Sequence, residues 1–403
     1  MLKPGGPGLT LLLGALIAVA PLAMDIYLAS MPSMAQALRT SDDRIQLTLS
    51  LYMYGWGASQ IFVGPLADRF GRRPALIAGL VLFVAASIAC AAARTIEALI
   101  AARIAQSIGM ATAAVVPRAI VRDLYAGERA ARMLSLMGVV LGMAPIIAPI
   151  IGSHLHVWFG WQANFVFVAA YGAIALACVI AALPETITAK NAKATDPAVV
   201  LANYRRLLQS RRYIGYVLVA AFAASGLFAF LAGSAFVFIA VMGGGEESFG
   251  LLFGAVMLGN IAGSALGSRL VARLGIDRMI GYSTWLMLLA GLVLGVLAWA
   301  RIAHPAAIVV PMFVFMVALM TTMPQATAGG LTPYPDVAGS AASLLLFVQF
   351  IMASTAALIV GLTFDGTQRP MATVIAIAAA LTFIAFRALV QRRAAEATDA
   401  MKD

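Results

Sequence analysis

Two ionisable residues lie inside apolar runs that are long enough to cross a lipid bilayer. Asp25 interrupts the run LTLLLGALIAVAPLAMDIYLASMPSMA, and Arg103 lies within another apolar run further along the chain. A helical span needs about 20 residues, and a charge near the bilayer centre costs about 2.5–3.5 kcal/mol on insertion scales. Such residues usually face a cavity or a partner and move ions or bind substrate. The sequence therefore predicts an intramembrane site at Asp25.

The composition indicates a polytopic helical membrane protein. The chain has 403 residues, of which 62% are hydrophobic and 11% are charged, whereas soluble domains are about 45–50% apolar. Transmembrane strands would need alternating segments of about ten residues, and the long apolar runs do not alternate. The net charge of +10 is spread over short loops, so no nucleic-acid partner is predicted. The few cysteines and histidines are isolated, and neither a metal nor a cofactor is predicted.

Apolar runs of spanning length recur from end to end. Twelve spans are predicted, at residues 9–34, 45–65, 74–93, 97–117, 133–155, 162–183, 213–240, 249–269, 277–299, 305–326, 338–362 and 370–390. With this count, 21 of the 27 lysines and arginines fall on the side that carries both termini, 5 fall on the other side, and Arg103 lies within a span. Because Lys and Arg concentrate in cytoplasmic loops, both termini are predicted to be cytoplasmic.

The chain is predicted to be all-α, with twelve transmembrane helices in two pseudo-symmetric six-helix halves. The first half covers 1–183, a cytoplasmic linker covers 184–212, and the second half with a short tail covers 213–403. A faint repeat supports this division: DRFGRR around Gly71 recurs as ARLGIDR around Gly275. Related halves around a midplane site are typical of secondary transporters.

The segment GPLADRFGRRP at 64–74 resembles the signature cytoplasmic loop of the major facilitator superfamily. Gly64 and Gly71 are expected to permit a tight turn and close helix approach. The resemblance implies that Asp68 helps to lock the cytoplasmic side through charge contacts. The gating residues predicted for this loop and for RAIVRDLY at 118–125 are Gly64, Asp68, Arg69, Gly71, Arg72, Arg73, Arg122 and Asp123. The alternative is a basic loop that only fixes topology.

Longer stretches resemble one branch of that family, the Bcr/CflA-type drug-resistance transporters, which include chloramphenicol and florfenicol exporters. The most specific stretches are LAMDIYLASMPSMA, IQLTLSLYMYGWGASQIFVGPLADRFGRRP, RIAQSIG at 103–109 and VAGSAASLLLFVQF at 337–350. The resemblance implies proton-driven export of small lipophilic drugs across a bacterial inner membrane by a monomer. The implied partners are a small-molecule drug, protons and membrane lipid.

Asp25 and Arg103 are the predicted proton-coupling pair, because the topology places both in the outer half of the membrane. The family resemblance ties the fourth-span arginine to proton coupling, and Asp25 is interpreted as a shared proton and drug switch. A purely structural pair, or an arginine that reaches the membrane interface, is the alternative.

The fifth span resembles the antiporter signature that ends Gly-Pro-x-x-Gly-Gly. The matching stretch here is Ala148-Pro149-Ile-Ile-Gly152-Ser153, so other small residues replace two glycines. Pro145, Pro149 and Gly152 are predicted to let this span bend and pack closely against a neighbour from the other half. Ordinary packing glycines and a kink are the alternative.

Polar and aromatic residues in the spans are candidates for the substrate cavity, although each one alone is more often a packing residue. The predicted substrate-binding residues are Asp25, Tyr27, Tyr52, Gln60, Gln106 and Phe228; Tyr54, Phe236, Asn260, Gln325 and Gln349 are further candidates.

A metabolite exporter or symporter of the same fold remains an alternative function, since the sequence does not separate it from a drug exporter. A membrane enzyme or receptor would need a nucleophile–base pair, a metal-ligand set or a sizeable soluble domain. The sequence contains no such pattern, and no enzyme activity is predicted.

Overall fold

The computed structural model of the protein describes residues 7–125, 127–187, 197–334 and 337–391. These residues form helices and connecting loops without strands. The chain divides into two compact units: Met1–Asp196 with Gly245–Leu251, and Pro197–Gly244 with Leu252–Asp403. The boundaries predicted for the two halves and the linker stay predictions.

The first unit contains the following elements: α1 (Pro7–Asp25), a 3₁₀ turn (Leu28–Ser30), α2 (Met31–Ala37), α3 (Asp42–Phe70), α4 (Arg72–Ala92), α5 (Ile96–Leu124), α6 (Gly127–Phe159) and α7 (Gln162–Ala182). Hydrogen bonds hold α7 against the α1 region. The Tyr171 hydroxyl donates to the Ala15 carbonyl at 2.9 Å, and the Asn164 amide donates to Ser30 Oγ at 2.8 Å. A side chain of α7 therefore holds the 3₁₀ turn in place.

The second unit contains α8 (Pro197–Gln209), α9 (Arg211–Ala235), a π-helical turn (Phe236–Val241), most of α10 (Glu246–Leu274), α11 (Ile276–Trp299), α12 (Ala306–Leu331), α13 (Ala338–Leu362), α14 (Arg369–Ala385) and a second π-helical turn (Phe386–Gln391). Helix α8 lies within the predicted linker. Its Leu207 is fully buried in a cluster with Tyr213 and Val217 of α9 and Leu345 of α13. That part of the linker is thus a helix packed on the second unit.

Ten helical stretches of the described residues are long and apolar enough to cross a membrane. The two remaining predicted spans, 45–65 and 133–155, lie within α3 and α6, and the shorter apolar stretch Met143–Phe159 overlaps the second of them. Helix α3 contains charged residues at both ends and several polar ones between them, which lowers its mean hydropathy. The predicted all-α, twelve-span fold class is confirmed.

Candidate functional site

The first predicted span is not one continuous helix, because α1 ends at Asp25 and a 3₁₀ turn follows before α2 begins at Met31. Pro21 lies inside α1, and Pro32 occupies the first turn of α2. A helix end leaves its last carbonyl groups without intrahelical partners, which is costly in a bilayer unless another group binds them. The break at Asp25 therefore creates backbone acceptors at the centre of the candidate site.

Arg103 of α5 is one of the groups that bind these acceptors. Its side chain is fully buried, and its Nη1 donates a hydrogen bond to the Ala23 carbonyl at 3.0 Å. The same nitrogen donates to Gln106 Oε1 one turn further along α5. The sequence prediction that Arg103 acts beside Asp25 thus has a geometric basis in the backbone next to Asp25.

Aromatic rings surround the Arg103 guanidinium. Its carbon lies 3.9 Å from the centre of the Tyr52 ring, 4.4 Å from that of Tyr27 and 5.8 Å from that of Phe165. A desolvated cation over an aromatic face gains about 2 kcal/mol. The rings thus hold the cation in place while its Nε and Nη2 have no hydrogen-bond partner.

Asp25 is also buried, with 1% of its surface exposed, and neither carboxylate oxygen has a hydrogen-bond partner. Arg103 acts on Asp25 through its charge, but no ion pair joins the two within the described chain. This structure therefore contains no direct ion pair between Asp25 and Arg103, and their role as a proton-coupling pair stays a prediction. The guanidinium is instead bound by the Ala23 carbonyl and by Gln106, and the carboxylate is left available to another partner.

Tyr27 and Gln106, two of the predicted substrate-binding residues, contact Arg103 and belong to the group of residues around it, here called the Arg103 cluster. Their polar groups are bound to other side chains. The Tyr27 hydroxyl is 3.1 Å from Thr48 Oγ1, and the Gln106 amide donates to Ser87 Oγ at 2.7 Å. Tyr52 differs, because its buried hydroxyl has no partner. Among the aromatic candidates of this cluster, Tyr52 is therefore the one with a polar atom left to bind a ligand.

The other two predicted binding residues are not part of the Arg103 cluster. Gln60 is buried two turns beyond Tyr52 on α3, and it makes no hydrogen bond to Asp25. Phe228 belongs to the second unit, where its ring centre lies 6.0 Å from that of Phe350. Their roles in substrate binding stay predictions.

Sequence reasoning missed several residues of this site. Phe165 of α7 borders Arg103, and Thr48 of α3 binds Tyr27. A further buried polar residue of α3 that was missed is Gln46, which has both ends of its amide unpartnered. Gln46 carried a detectable signal, namely a polar amide early in a predicted span, whereas an apolar ring such as Phe165 carries none.

Gly152 of α6 contacts the break in α1. A Cβ atom at this position would overlap the carbonyl group of Ile26, the residue after Asp25. Pro145 and Pro149 precede it within the same helix. Gly152 therefore packs closely against the backbone next to the intramembrane carboxylate, which belongs to its own half. Packing of this span against a neighbour from the other half stays a prediction.

The signature loop between α3 and α4 is organised around Arg72. Its guanidinium forms ion pairs with Asp68 one turn earlier and, through Nε, with Asp123 of α5 at 2.9 Å. Thr186 Oγ1, located after α7, donates to the same Asp123 oxygen at 3.3 Å. Asp68, Arg72 and Asp123, all predicted from the motif, are thus brought together.

Glu185 was missed because it lies in the predicted linker and outside the motif. Its carboxylate accepts hydrogen bonds from the Arg72 and Arg73 backbone amides at 2.9 and 3.2 Å. These amides form the N-terminus of α4, where a negative charge is favourable. Gly71, with φ of 113°, lies so close to the Glu185 carboxylate that a Cβ would displace it.

Arg69 and Arg73 of the same loop make other contacts. The Arg69 guanidinium lies 5.3 Å from the centre of the Phe70 ring, and Arg73 Nη2 donates to the Ile180 carbonyl at 2.8 Å. The close approach expected at Gly64 is wrong: the residue lies within α3, and the space where a Cβ would project is open. The Arg122 side chain lies outside the described residues.

The sequence and fold place the chain in a family. A sequence model described as Major Facilitator Superfamily matches residues 13–357. The fold and the intramembrane site define a polytopic membrane transporter, and the chain belongs to the major facilitator superfamily. It is 29% identical over 383 residues to a bicyclomycin resistance protein homolog of Haemophilus influenzae, covering 95% of this chain and 96% of that protein.

Two further relatives have names that refer to drug resistance. Multidrug resistance protein D of Escherichia coli is 28% identical, covering 85% of this chain and 86% of that protein. A chloramphenicol resistance protein of Pseudomonas aeruginosa is 28% identical, covering 90% and 85%. The resemblance to the Bcr/CflA-type branch is confirmed.

Solved structures agree on the fold. The E. coli xylose transporter XylE in a partially occluded inward-open conformation has a TM-score of 0.74 at 12% identity, covering 94% of this chain and 96% of that chain. A D-xylose-proton symporter has a TM-score of 0.72 at 14% identity, covering 95% and 97%. At these identities the likeness shows the fold alone.

Proposed function

We propose that this protein exports small lipophilic drugs across the bacterial inner membrane in exchange for protons. Three relatives of 28–29% identity, with names that refer to resistance to bicyclomycin, to chloramphenicol or to several drugs, support drug export. The observation that carries proton coupling is the buried Asp25 carboxylate, whose two oxygens have no hydrogen-bond partner beside the buried Arg103. A buried carboxylate without a partner is costly, so binding a proton or a substrate donor stabilises it.

Alternating access between the two six-helix halves would use this carboxylate twice. In the outward-facing state, a proton binds to a carboxylate oxygen of Asp25 and removes its attraction to the Arg103 guanidinium and to a bound drug. In the inward-facing state, the proton leaves, and the carboxylate again attracts a drug or Arg103. The proton-motive force drives the cycle, since one charge crossing 100 mV gains about 2.3 kcal/mol.

The direct test is Asp25→Asn, which removes the titratable oxygen and keeps the shape of the side chain. In everted membrane vesicles with an established pH gradient, drug addition to the wild type is expected to release protons, and the variant is expected to release none. Asp365→Asn is a matched control, because Asp365 is an exposed acid of the loop before α14. Coupled export by the Asp25→Asn variant at the wild-type rate would contradict the proposal.

Substrate class is tested with a host strain that lacks its major efflux pumps. Expression of the protein is expected to lower susceptibility to chloramphenicol, florfenicol or bicyclomycin. A cationic dye and a dipeptide extend the panel, because one membrane acid accommodates neutral and monocationic compounds. Unchanged susceptibility to all drugs, combined with proton release on addition of a metabolite, would favour the metabolite transporter.

The proposal includes a monomer with both termini in the cytoplasm. Cysteine labelling distinguishes the two sides of the membrane. Arg273→Cys lies in a loop predicted to be cytoplasmic and Arg301→Cys in a loop predicted to be external, so the two variants are expected to be labelled from opposite sides. A membrane-impermeant thiol reagent added to intact spheroplasts reports this directly. Labelling of the Arg273 position from outside would contradict the orientation.

A further inference from the structure

Two cavities of the second unit lie at one end of the α11–α14 helix pair. The first is an open apolar groove of about 420 Å³. It is lined by small and aliphatic side chains, including Leu292, Gly295, Val296, Ala376, Ile377 and Ala380. Leu292, Val296 and Ile377 are exposed large hydrophobic residues. A groove of this kind fits a hydrocarbon chain.

The second cavity is cationic. It has a volume of about 310 Å³, and its lining includes Arg301, Thr367, Gln368 and Arg369 but no acidic residue. Trp299 joins the two cavities: it lines the groove, its Nε1 donates to Thr373 Oγ1 at 3.1 Å, and the Arg369 guanidinium lies 5.0 Å from its ring centre. The Trp299–Arg369 contact therefore links the lining of the apolar groove to the lining of the cationic cavity.

Polar atoms in the cationic cavity are left without partners. The Nε of Arg369 and the Oε1 of Gln368 are buried and make no hydrogen bond, and Gln368 is 5% exposed. The Gln368 amide nitrogen is held by the Ile302 carbonyl at 3.1 Å, which orients the free oxygen. Within the described residues, neither Arg301 nor Arg369 forms an ion pair. The cavity thus offers two positive charges and one hydrogen-bond acceptor.

We propose that this site binds an anionic phospholipid with a hydroxyl-bearing headgroup, the chemistry of phosphatidylglycerol. The phosphate lies at Arg301 and Arg369, a headgroup hydroxyl donates to Gln368 Oε1, and one acyl chain occupies the groove. The negative phosphate complements the two arginines, and the headgroup hydroxyl donates to the free acceptor. The acyl chain fills the apolar groove. The nearest acid in sequence, Asp365, is already bound by the Thr367 amide and hydroxyl at 3.0 and 2.6 Å.

The test counts bound lipid by native mass spectrometry of the delipidated full-length protein in detergent. Phosphatidylglycerol is expected to bind more tightly than phosphatidylcholine with the same chains, whose headgroup is zwitterionic and lacks hydroxyls. The affinity for phosphatidylglycerol is expected to fall about fivefold for each of Arg301→Gln and Arg369→Gln, because each substitution removes one positive charge that would contact the phosphate. Arg94→Gln, an exposed arginine of the first unit, is the charge-matched control.

A second variant tests the acyl chain separately. Gly295→Leu fills the groove without a backbone clash, since a Cβ there would lie 3.6 Å from Ala376 Cβ. It is expected to weaken lipid binding, whereas Ala85→Leu on the exposed surface of α4 is expected to leave it unchanged. Equal affinity of the two lipids, unchanged affinity in the arginine variants, or full displacement by soluble glycerol phosphate would each overturn the proposal.

Discussion

Gly152 packs directly on the carbonyl group of Ile26, the first residue after the intramembrane Asp25. Gly152 belongs to the predicted antiporter signature in α6, and Ile26 belongs to the break at the end of α1. The signature residue therefore sets the position of the backbone beside the candidate proton site. Because backbone meets backbone here, even one added carbon atom must displace the segment that follows Asp25.

We expect Gly152→Ala to lower the thermal stability of the purified protein by about 1–3 kcal/mol, the usual cost of overpacking, and to slow drug-driven proton release. Gly339→Ala is the matched control, because the space around Gly339 on α13 is open. There the substitution is expected to be neutral or stabilising. Equal melting temperatures of the two variants would show that the Ile26 segment adapts without cost.

We expect Arg103→Lys to impair coupled transport although it keeps the charge. The planar guanidinium donates to the Ala23 carbonyl and to Gln106 while it stacks on the Tyr52 ring. The ammonium of lysine cannot do both in the same position. Loss of the stacking alone costs about 2 kcal/mol at a desolvated site. The measurements are thermal unfolding and proton release in vesicles, with Arg94→Lys as the exposed control. Wild-type behaviour of Arg103→Lys would indicate that charge alone is required.

Tyr52→Phe and Tyr27→Phe are expected to separate ligand binding from packing. The Tyr52 hydroxyl is buried without a partner, so its removal is expected to leave the drug-free protein equally or more stable and to weaken drug binding. The Tyr27 hydroxyl is paired with Thr48, so its removal is expected to cost about 1 kcal/mol of stability. Calorimetry of drug binding and thermal unfolding measure both. Unchanged drug affinity in Tyr52→Phe would remove Tyr52 from the binding site.

Glu185→Gln is expected to destabilise the signature loop by about 1–2 kcal/mol, because the carboxylate binds two amides at the N-terminus of α4. Glu97→Gln is the matched control, since Glu97 forms an exposed ion pair with Arg44, and such pairs contribute little. Thermal unfolding and transport rate are the measurements. A loss in Glu97→Gln as large as in Glu185→Gln would contradict the role of the α4 terminus.

The fold could be predicted from the sequence because each span must be apolar on its own to cross the membrane. The unequal distribution of basic residues between the loops then predicted the orientation. The same reasoning found Asp25 and Arg103, since charges stand out in apolar segments. It missed Glu185, because an acid in a polar loop is ordinary in sequence and acquires its role only when the chain returns after α7 to the N-terminus of α4.

The amino-acid sequence by itself determined that the chain spans a membrane many times, which family it resembles and which buried charges it contains. The tertiary structure decided how those charges are bound. Arg103 contacts the Ala23 carbonyl, Gln106 and three aromatic rings, and the oxygens of Asp25 are left without partners. The reason is physical: a charge in an apolar run predicts that a partner is needed, but only the packing of α1, α3, α5 and α7 selects which polar or aromatic group meets that need.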